Sequence, residues 1–128
     1  VLAWVSPTEF KQVVLNLLTN SLEACHDGGL VQVSLVSDQK SFTVTVTDNG
    51  CGMTDEVLTH LFEPFFTRRR DGRGTGLGLS ITYRIVQDHE GSLVPASLGD
   101  NQGSTFTLNM PLQSTRKEYH EGFKQAAA

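Results

Sequence analysis

The chain has little of what several function classes require. It has two cysteines, Cys25 and Cys51, so neither a disulfide framework nor a zinc site of four thiolates can be built from it. It has no surplus of positive charge. Ten basic side chains stand against 14 acidic ones, a formal net charge of -4, which argues against nucleic acid or an anionic lipid surface as partner. The single basic run is Arg68, Arg69 and Arg70. No apolar stretch approaches the roughly 18 residues of a spanning helix, and no basic segment precedes an apolar core at the start, as a secretory signal would need. A reduced, cytoplasmic setting is therefore expected. With 128 residues and no internal repeat, one compact domain is expected rather than two.

What is present reads as alternating helices and strands. Ser6, Pro7 and Glu9 supply a capping hydroxyl, a proline at the first helical position and a glutamate placed to reach back, which together predict a helix start. Phe10, Val13, Val14, Leu17, Leu18, Ser21, Leu22 and Cys25 then recur at three- and four-residue steps as a core-facing stripe, until Asp27-Gly28-Gly29 ends it. Val31, Val33 and Leu35 alternate with polar residues, and after Ser37-Asp38-Gln39-Lys40 a second alternation begins at Phe42, which predicts an antiparallel hairpin. In the second strand Phe42, Val44, Val46 and Asp48 share one face, so the carboxylate points where the core points. Thr54 is placed to cap a short helix containing Val57 and Leu61, followed by an aromatic knot around Pro64. Residues 68–76 hold four arginines and three glycines with no apolar side chain, the composition of a mobile loop. A second helix is expected from Leu77 to His89, and two more strands around Leu93 and over Thr105 to Pro111. The domain is read as residues 1–112, and residues 113–128, polar and ending in three alanines, as a C-terminal tail.

Three groups of residues stand out chemically. A carboxylate at the core-facing end of a strand must find donors or suffer a desolvation penalty of several kcal/mol, which singles out Asp48. An Asx turn within Asp48-Asn49-Gly50 would satisfy it locally; a ligand amino group would satisfy it functionally, with Gly50 and Gly52 letting the backbone approach a flat ring. Gln12, Asn16 and Asn20 form a row at four-residue steps beside the apolar stripe. They fit either a solvated face or, through amide oxygens, a hard cation such as magnesium that arrives with its own phosphate ligands. Gly72-Arg73-Gly74-Thr75-Gly76-Leu77-Gly78-Leu79 runs from the arginine-rich loop into a helix start, where free backbone N–H groups attract anions. It matches neither the P-loop nor the dinucleotide fingerprint: no lysine followed by Ser or Thr is present, and no strand immediately precedes it. A flexible linker is the plain alternative.

These pieces stand in a recognisable order. Asn16-Leu17-Leu18-Thr19-Asn20 resembles an N box, Asp48-Asn49-Gly50-Cys51-Gly52-Met53 a first glycine box and Phe62-Glu63-Pro64-Phe65-Phe66 an F box. Gly74-Thr75-Gly76-Leu77-Gly78-Leu79 resembles a second glycine box and Gly103-Ser104-Thr105-Phe106 a third. Residues 6–111 thus resemble the catalytic, ATP-binding domain of a bacterial two-component sensor histidine kinase, in the superfamily shared with gyrase, Hsp90 and MutL. The resemblance implies a two-layer α/β (α+β) sandwich, with helices on one face of a mixed, mainly antiparallel sheet. It implies ATP or ADP with Mg2+ as ligands: Asp48 accepting from the adenine amino group, Gly50 and Gly52 beside the ring, and Asn20 ligating magnesium. Asn16 would support the phosphates; Gly74, Thr75, Gly76, Leu77, Gly78 and Leu79 would form the phosphate loop. Ser104 or Thr105 would bond near Asp48, Phe65 and Phe66 would anchor a lid beginning at Thr67, and Arg69 would direct its charge at phosphate. Glu23 departs from relatives that carry a basic residue shortly after the magnesium-binding asparagine.

The resemblance also implies partners: a histidine-bearing dimerisation domain of the same kinase and a downstream response regulator, with no nucleic acid and no membrane contact by this domain itself. His26, His60, His89 and His120 are scattered, and none has the acidic helical setting of a phosphorylated histidine, so the acceptor is expected outside this chain. The domain would sit in the cytoplasm, including as the cytoplasmic part of a membrane-bound sensor. Hydrolysing relatives carry a glutamate one helical turn before the magnesium-binding asparagine, where Asn16 stands here, so transfer of the γ-phosphate to a histidine is expected over hydrolysis. An ATP hydrolase and a nucleotide-binding module without catalysis are the alternatives.

Overall fold

The computed structural model describes residues 2–66, 78–112 and 124–127. Helix α1 (Pro7–Ala24) starts as its sequence demands: the Ser6 hydroxyl accepts from the Glu9 amide at 3.4 Å and proline occupies the first turn. Strands β2 (Val31–Ser37) and β3 (Ser41–Asp48) form the expected hairpin. The turn between them is set by Asp38, whose Oδ1 accepts from the amides of Lys40 at 2.7 Å and Ser41 at 2.9 Å. Helix α2 (Asp55–His60) is capped by Thr54, helix α3 spans Gly78–Asp88, and β4 (Ser92–Ala96) and β5 (Ser104–Pro111) follow.

The four strands order as β2-β3-β5-β4, and every pairing among them is antiparallel. The β3–β5 register places Phe42 opposite Met110, Val44 opposite Leu108, Val46 opposite Phe106 and Asp48 opposite Ser104. All eight are buried, on the face that α1 and α3 cover. The other face carries Thr43, Thr45 and Thr47 opposite Asn109, Thr107 and Thr105, with Asn109 Nδ2 donating to Thr43 Oγ1 at 2.9 Å. One apolar and one polar face make a two-layer sandwich, as expected.

Two expectations of burial are corrected. Val33 and Leu35 alternate like core residues yet are 52% and 47% exposed, because β2 is an edge strand at the rim of the layer. Leu22, placed in the α1 stripe, is likewise exposed; Ala24 is the buried residue of that last turn. Within the stretch read as a C-terminal tail, residues 124–127 form strand β6 (Lys124–Ala127), antiparallel to β1 (Leu2–Val5) in a separate two-stranded sheet. Backbone pairing of this kind uses main-chain N–H and C=O groups and requires no side-chain periodicity, so nothing in the composition signals it.

His89 joins the two helices. Its Nδ1 lies 2.8 Å from Ile85 O and its Nε2 3.3 Å from Ser6 N, so the ring spans the end of α3 and the cap of α1.

Candidate functional site

The polar end of the β3–β5 ladder is where helix, strand and loops converge. Asp48 is 5% exposed and divides its two oxygens between two tasks. Oδ1 accepts from the Gly50 amide at 2.9 Å, the local Asx turn, while Oδ2 is buried without a hydrogen-bond partner. The local reading of this aspartate holds on Oδ1, and Oδ2 is left able to accept from another donor. Ser104, directly across the ladder and 3% exposed, also buries its Oγ without a partner. A carboxylate oxygen and a hydroxyl, adjacent and both unsatisfied, could serve as a receptor for a polar ligand edge, since such groups are costly unless something donates to them.

Thr105 does not belong to this receptor. The two-residue strand period turns it to the opposite face, where its hydroxyl meets that of Thr47 at 3.3 Å.

Around Asp48 the loops are held by backbone contacts that leave no room for side chains. A Cβ on Gly50 would stand 2.4 Å from Ala24 O, and the neighbouring Cys51 amide donates to that same carbonyl at 2.9 Å, so the loop is seated on the last turn of α1. Gly52 has φ +71°, and a Cβ there would stand 2.1 Å from Gly99 O. Its smallness thus serves the packing of residues 50–52 against 99–103 in addition to any approach to a ring. Gly103, also at φ +71°, donates its amide to Gly50 O at 3.2 Å.

Ser97, which nothing in the sequence marks, ties this together. Its hydroxyl donates to Gly103 O at 2.6 Å and accepts from the amide of Met53 at 3.0 Å. Asn49 turns away from the site, its Oδ1 accepting from Leu30 N at 2.9 Å.

On the helix side, the predicted row exists: Gln12 Nε2 donates to Asn16 Oδ1 at 3.1 Å. Asn16 Nδ2 in turn donates to Gly78 O at 3.0 Å and Thr82 Oγ1 at 2.9 Å. With both amide hydrogens engaged on α3, Asn16 holds the first turn of that helix against α1. Asn20, one turn further along α1, is half-buried on the same row. No group of three or more His, Cys, Asp or Glu side chains able to hold a metal occurs among the described residues.

Of the aromatic segment after α2, Phe62 stacks on Tyr83 of α3, with ring centroids 4.6 Å apart. Phe66 lies 5.8 Å from the ring of His60, which contacts Glu63. Phe65, expected to anchor the lid, is 75% exposed at φ 68°. Thr67, Arg69, Gly74, Thr75, Gly76 and Leu77 lie outside the described residues. No described helix is long and apolar enough to cross a membrane.

Comparison with known proteins agrees with this geometry. Residues 5–114 match the family described as histidine kinase-, DNA gyrase B-, and HSP90-like ATPase. Sporulation kinase E of Bacillus subtilis is 35% identical over 116 residues, covering 90% of this chain and 15% of that protein. Sensor histidine kinase ZraS of Escherichia coli K12 is 38% identical over 112 residues, covering 88% of this chain and 23% of that protein. The chain therefore spans about a sixth to a quarter of these curated relatives. Among solved structures, the catalytic domain of histidine kinase ThkA superposes with a TM-score of 0.74 at 32% identity, covering 85% of this chain and 70% of that one. The chain belongs to the histidine kinase-, DNA gyrase B- and HSP90-like ATPase family, as a catalytic ATP-binding domain of the sensor histidine kinase type.

Proposed function

We propose that the chain binds Mg-ATP and donates the γ-phosphate to a histidine on a dimerisation domain of the same kinase, the first step of a relay to a response regulator. The observation that carries the nucleotide assignment is Asp48 Oδ2, a buried acceptor with no donor, beside Ser104 Oγ. The amino group of adenine is a donor of the required kind. Gly50 and Gly52 shape the loop beside it, and the first amides of α3, at Gly78 and Leu79, would serve the phosphate end in this reading. Asn20 offers a hard amide oxygen to magnesium, which would bring phosphate and water as its other ligands. Arg69 and residues 74–77 complete the phosphate site in this reading. Phosphoryl transfer needs positioning and charge neutralisation more than covalent chemistry from the protein, and bound magnesium would supply the neutralising charge.

Transfer is favoured over hydrolysis because an amide cannot serve as general base, and Asn16 is in addition committed to Gly78 and Thr82. An acceptor outside the described residues is supported by His89, whose two ring nitrogens are both engaged inside the fold. The test is incubation of the chain with γ-labelled ATP and magnesium, alone and with a histidine-bearing dimerisation domain. Acid-labile label on the added domain, with little free phosphate from the chain alone, is the expected result. Rapid release of phosphate by the chain alone would instead identify a hydrolase, and nucleotide affinity without transfer a binding module.

A further inference from the structure

The two edges of the four-stranded sheet are finished differently. Strand β4 carries Pro95, which has no N–H to offer a further strand. Strand β2, Val-Gln-Val-Ser-Leu-Val-Ser, carries no proline and no charged side chain, and every residue after Val31 is exposed. Its register with β3 runs unbroken from Val31 to Ser37, so no bulge turns it aside. Proteins ordinarily blunt such an edge with lysine, proline or a bulge, because its free N–H and C=O groups invite another strand. Among the described residues nothing pairs with its outer side.

The register fixes which groups are free. Just beyond the two ends of β2, Asn49 N donates to Leu30 O at 3.2 Å and Asp38 N donates to Ser41 O at 2.9 Å. In an antiparallel ladder, residues that bond to the partner strand alternate with residues that bond away from it. The even positions from 30 to 38 therefore bond to β3, while Val31, Val33, Leu35 and Ser37 direct N–H and C=O outward.

A second copy of the same strand fits this edge. With a two-fold axis at Ser34, antiparallel pairing sets Val33 opposite Leu35 and Val31 opposite Ser37 as hydrogen-bonded pairs, and Ser34 opposite itself. Outward groups meet outward groups along the whole strand, and the exposed side chains of Val33 and Leu35 cover one another on the helix side. Leu18 and Leu22 extend that apolar surface. They stand two positions beyond Asn16 and Asn20, hence on the flank of α1 turned away from α3, and Leu22 is 64% exposed. Charge agrees at both ends: the same register brings the turn at 38–40 of each copy beside the turn at 27–29 of the other, so that exposed Lys40 approaches exposed Asp27.

We propose that β2 is a self-association edge, through which two copies of this chain pair about Ser34 and join their sheets into one. The axis stands perpendicular to the sheet, so the helices of both copies share one face and the two Asp48 ends point in opposite directions.

Sedimentation equilibrium tests this. The wild-type chain should show a monomer–dimer equilibrium at concentrations up to about 1 mM, since one strand pair makes a small interface of the weak class. Ser34 faces itself across the axis, so one substitution acts twice. Ser34→Lys and Ser34→Glu should each associate about tenfold more weakly than wild type, because like charges then stand directly opposite. When dilute, both should melt like wild type, as the side chain is exposed. Mixed in equal amounts, the two variants should form a one-to-one dimer at least as tight as that of wild type. A wild-type chain that stays monomeric throughout, its edge left to a strand of another protein, would overturn the proposal. Undiminished association of Ser34→Lys, or a mixture of the two variants that stays apart, would overturn it as well by placing the contact elsewhere.

Discussion

Strand β3 runs between two aspartates whose carboxylates are treated in opposite ways. At the hairpin end, Asp38 is fully exposed and Oδ1 takes two backbone amides, from Lys40 and Ser41. At the far end, Asp48 is buried, takes one amide on Oδ1, and leaves Oδ2 with no donor. The usual economy of proteins is the reverse, with the exposed carboxylate left to water and the buried one saturated. Between them the ladder is uniform: Phe42 with Met110, Val44 with Leu108 and Val46 with Phe106 are apolar pairs, and only the Asp48–Ser104 pair is polar. The same two strands, with the same pleat and the same hydrogen-bonding pattern, thus make a structural end and, in the function proposed above, a receiving end. If fold and function separate by position along one strand in this way, substitution at each end should reveal different losses.

The largest effect is expected from the apolar rungs. Phe106 is fully buried opposite Val46, and Phe106→Ala removes a ring from a closed core, which should cost about 3–5 kcal/mol of stability. Denaturant unfolding measures it. A loss under about 1 kcal/mol would mean that the layer can collapse onto the gap, and that the uniform ladder is less tightly packed than its burial indicates.

At the receiving end the loss should move from stability to affinity. Asp48→Asn keeps an acceptor at Oδ1 for the Gly50 amide and replaces Oδ2 by a donor, so the Asx turn survives while the adenine amino group meets another donor. Mg-ADP affinity should fall by about 1–3 kcal/mol in calorimetry, with the unfolding midpoint of the free protein unchanged or higher. Unchanged affinity would remove Asp48 from the base site.

How much of this was legible in the sequence depends on whether burial followed the local period. The alternation through 42–48 and 105–110 predicts the buried faces correctly, because both strands are central and one side is covered. The same alternation in β2 misleads, since period reports which residues share a face and not whether anything covers it. Asp48 is conspicuous as a charge on a core-facing position. Whether Ser104 or Thr105 faces the site depends on a single residue of register, which the pairing of Asp48 with Ser104 decides. The hub at Ser97 had no signal, because its partners are backbone groups that only the folded loops bring together. Asn16 is legible as a member of the row with Gln12, whereas its bonds to Gly78 and Thr82 are not, since which helix packs beside α1 is a tertiary fact.

The smallest effect is expected at the hairpin end, and its pH dependence sharpens the contrast between the aspartates. The amides of Lys40, first, and of Ser41 hold the Asp38 carboxyl below its ordinary range, with a lesser contribution from the Lys40 charge. A carboxyl whose folded pKa lies below its unfolded one contributes stability that is fully present above the unfolded value, and that is lost as pH falls through the folded value. Asp38→Ala should therefore lower the melting temperature slightly at pH 7, and the gap from wild type should narrow below about pH 4. Because the group is exposed and screened, the gap is expected to be the least of the three. Mg-ADP affinity should not change, as the turn lies at the opposite end of β3 from Asp48. A gap that persists undiminished into acid would show that the turn geometry, rather than the charged carboxylate, carries the effect. A loss of nucleotide affinity in Asp38→Ala would break the separation of the two ends altogether.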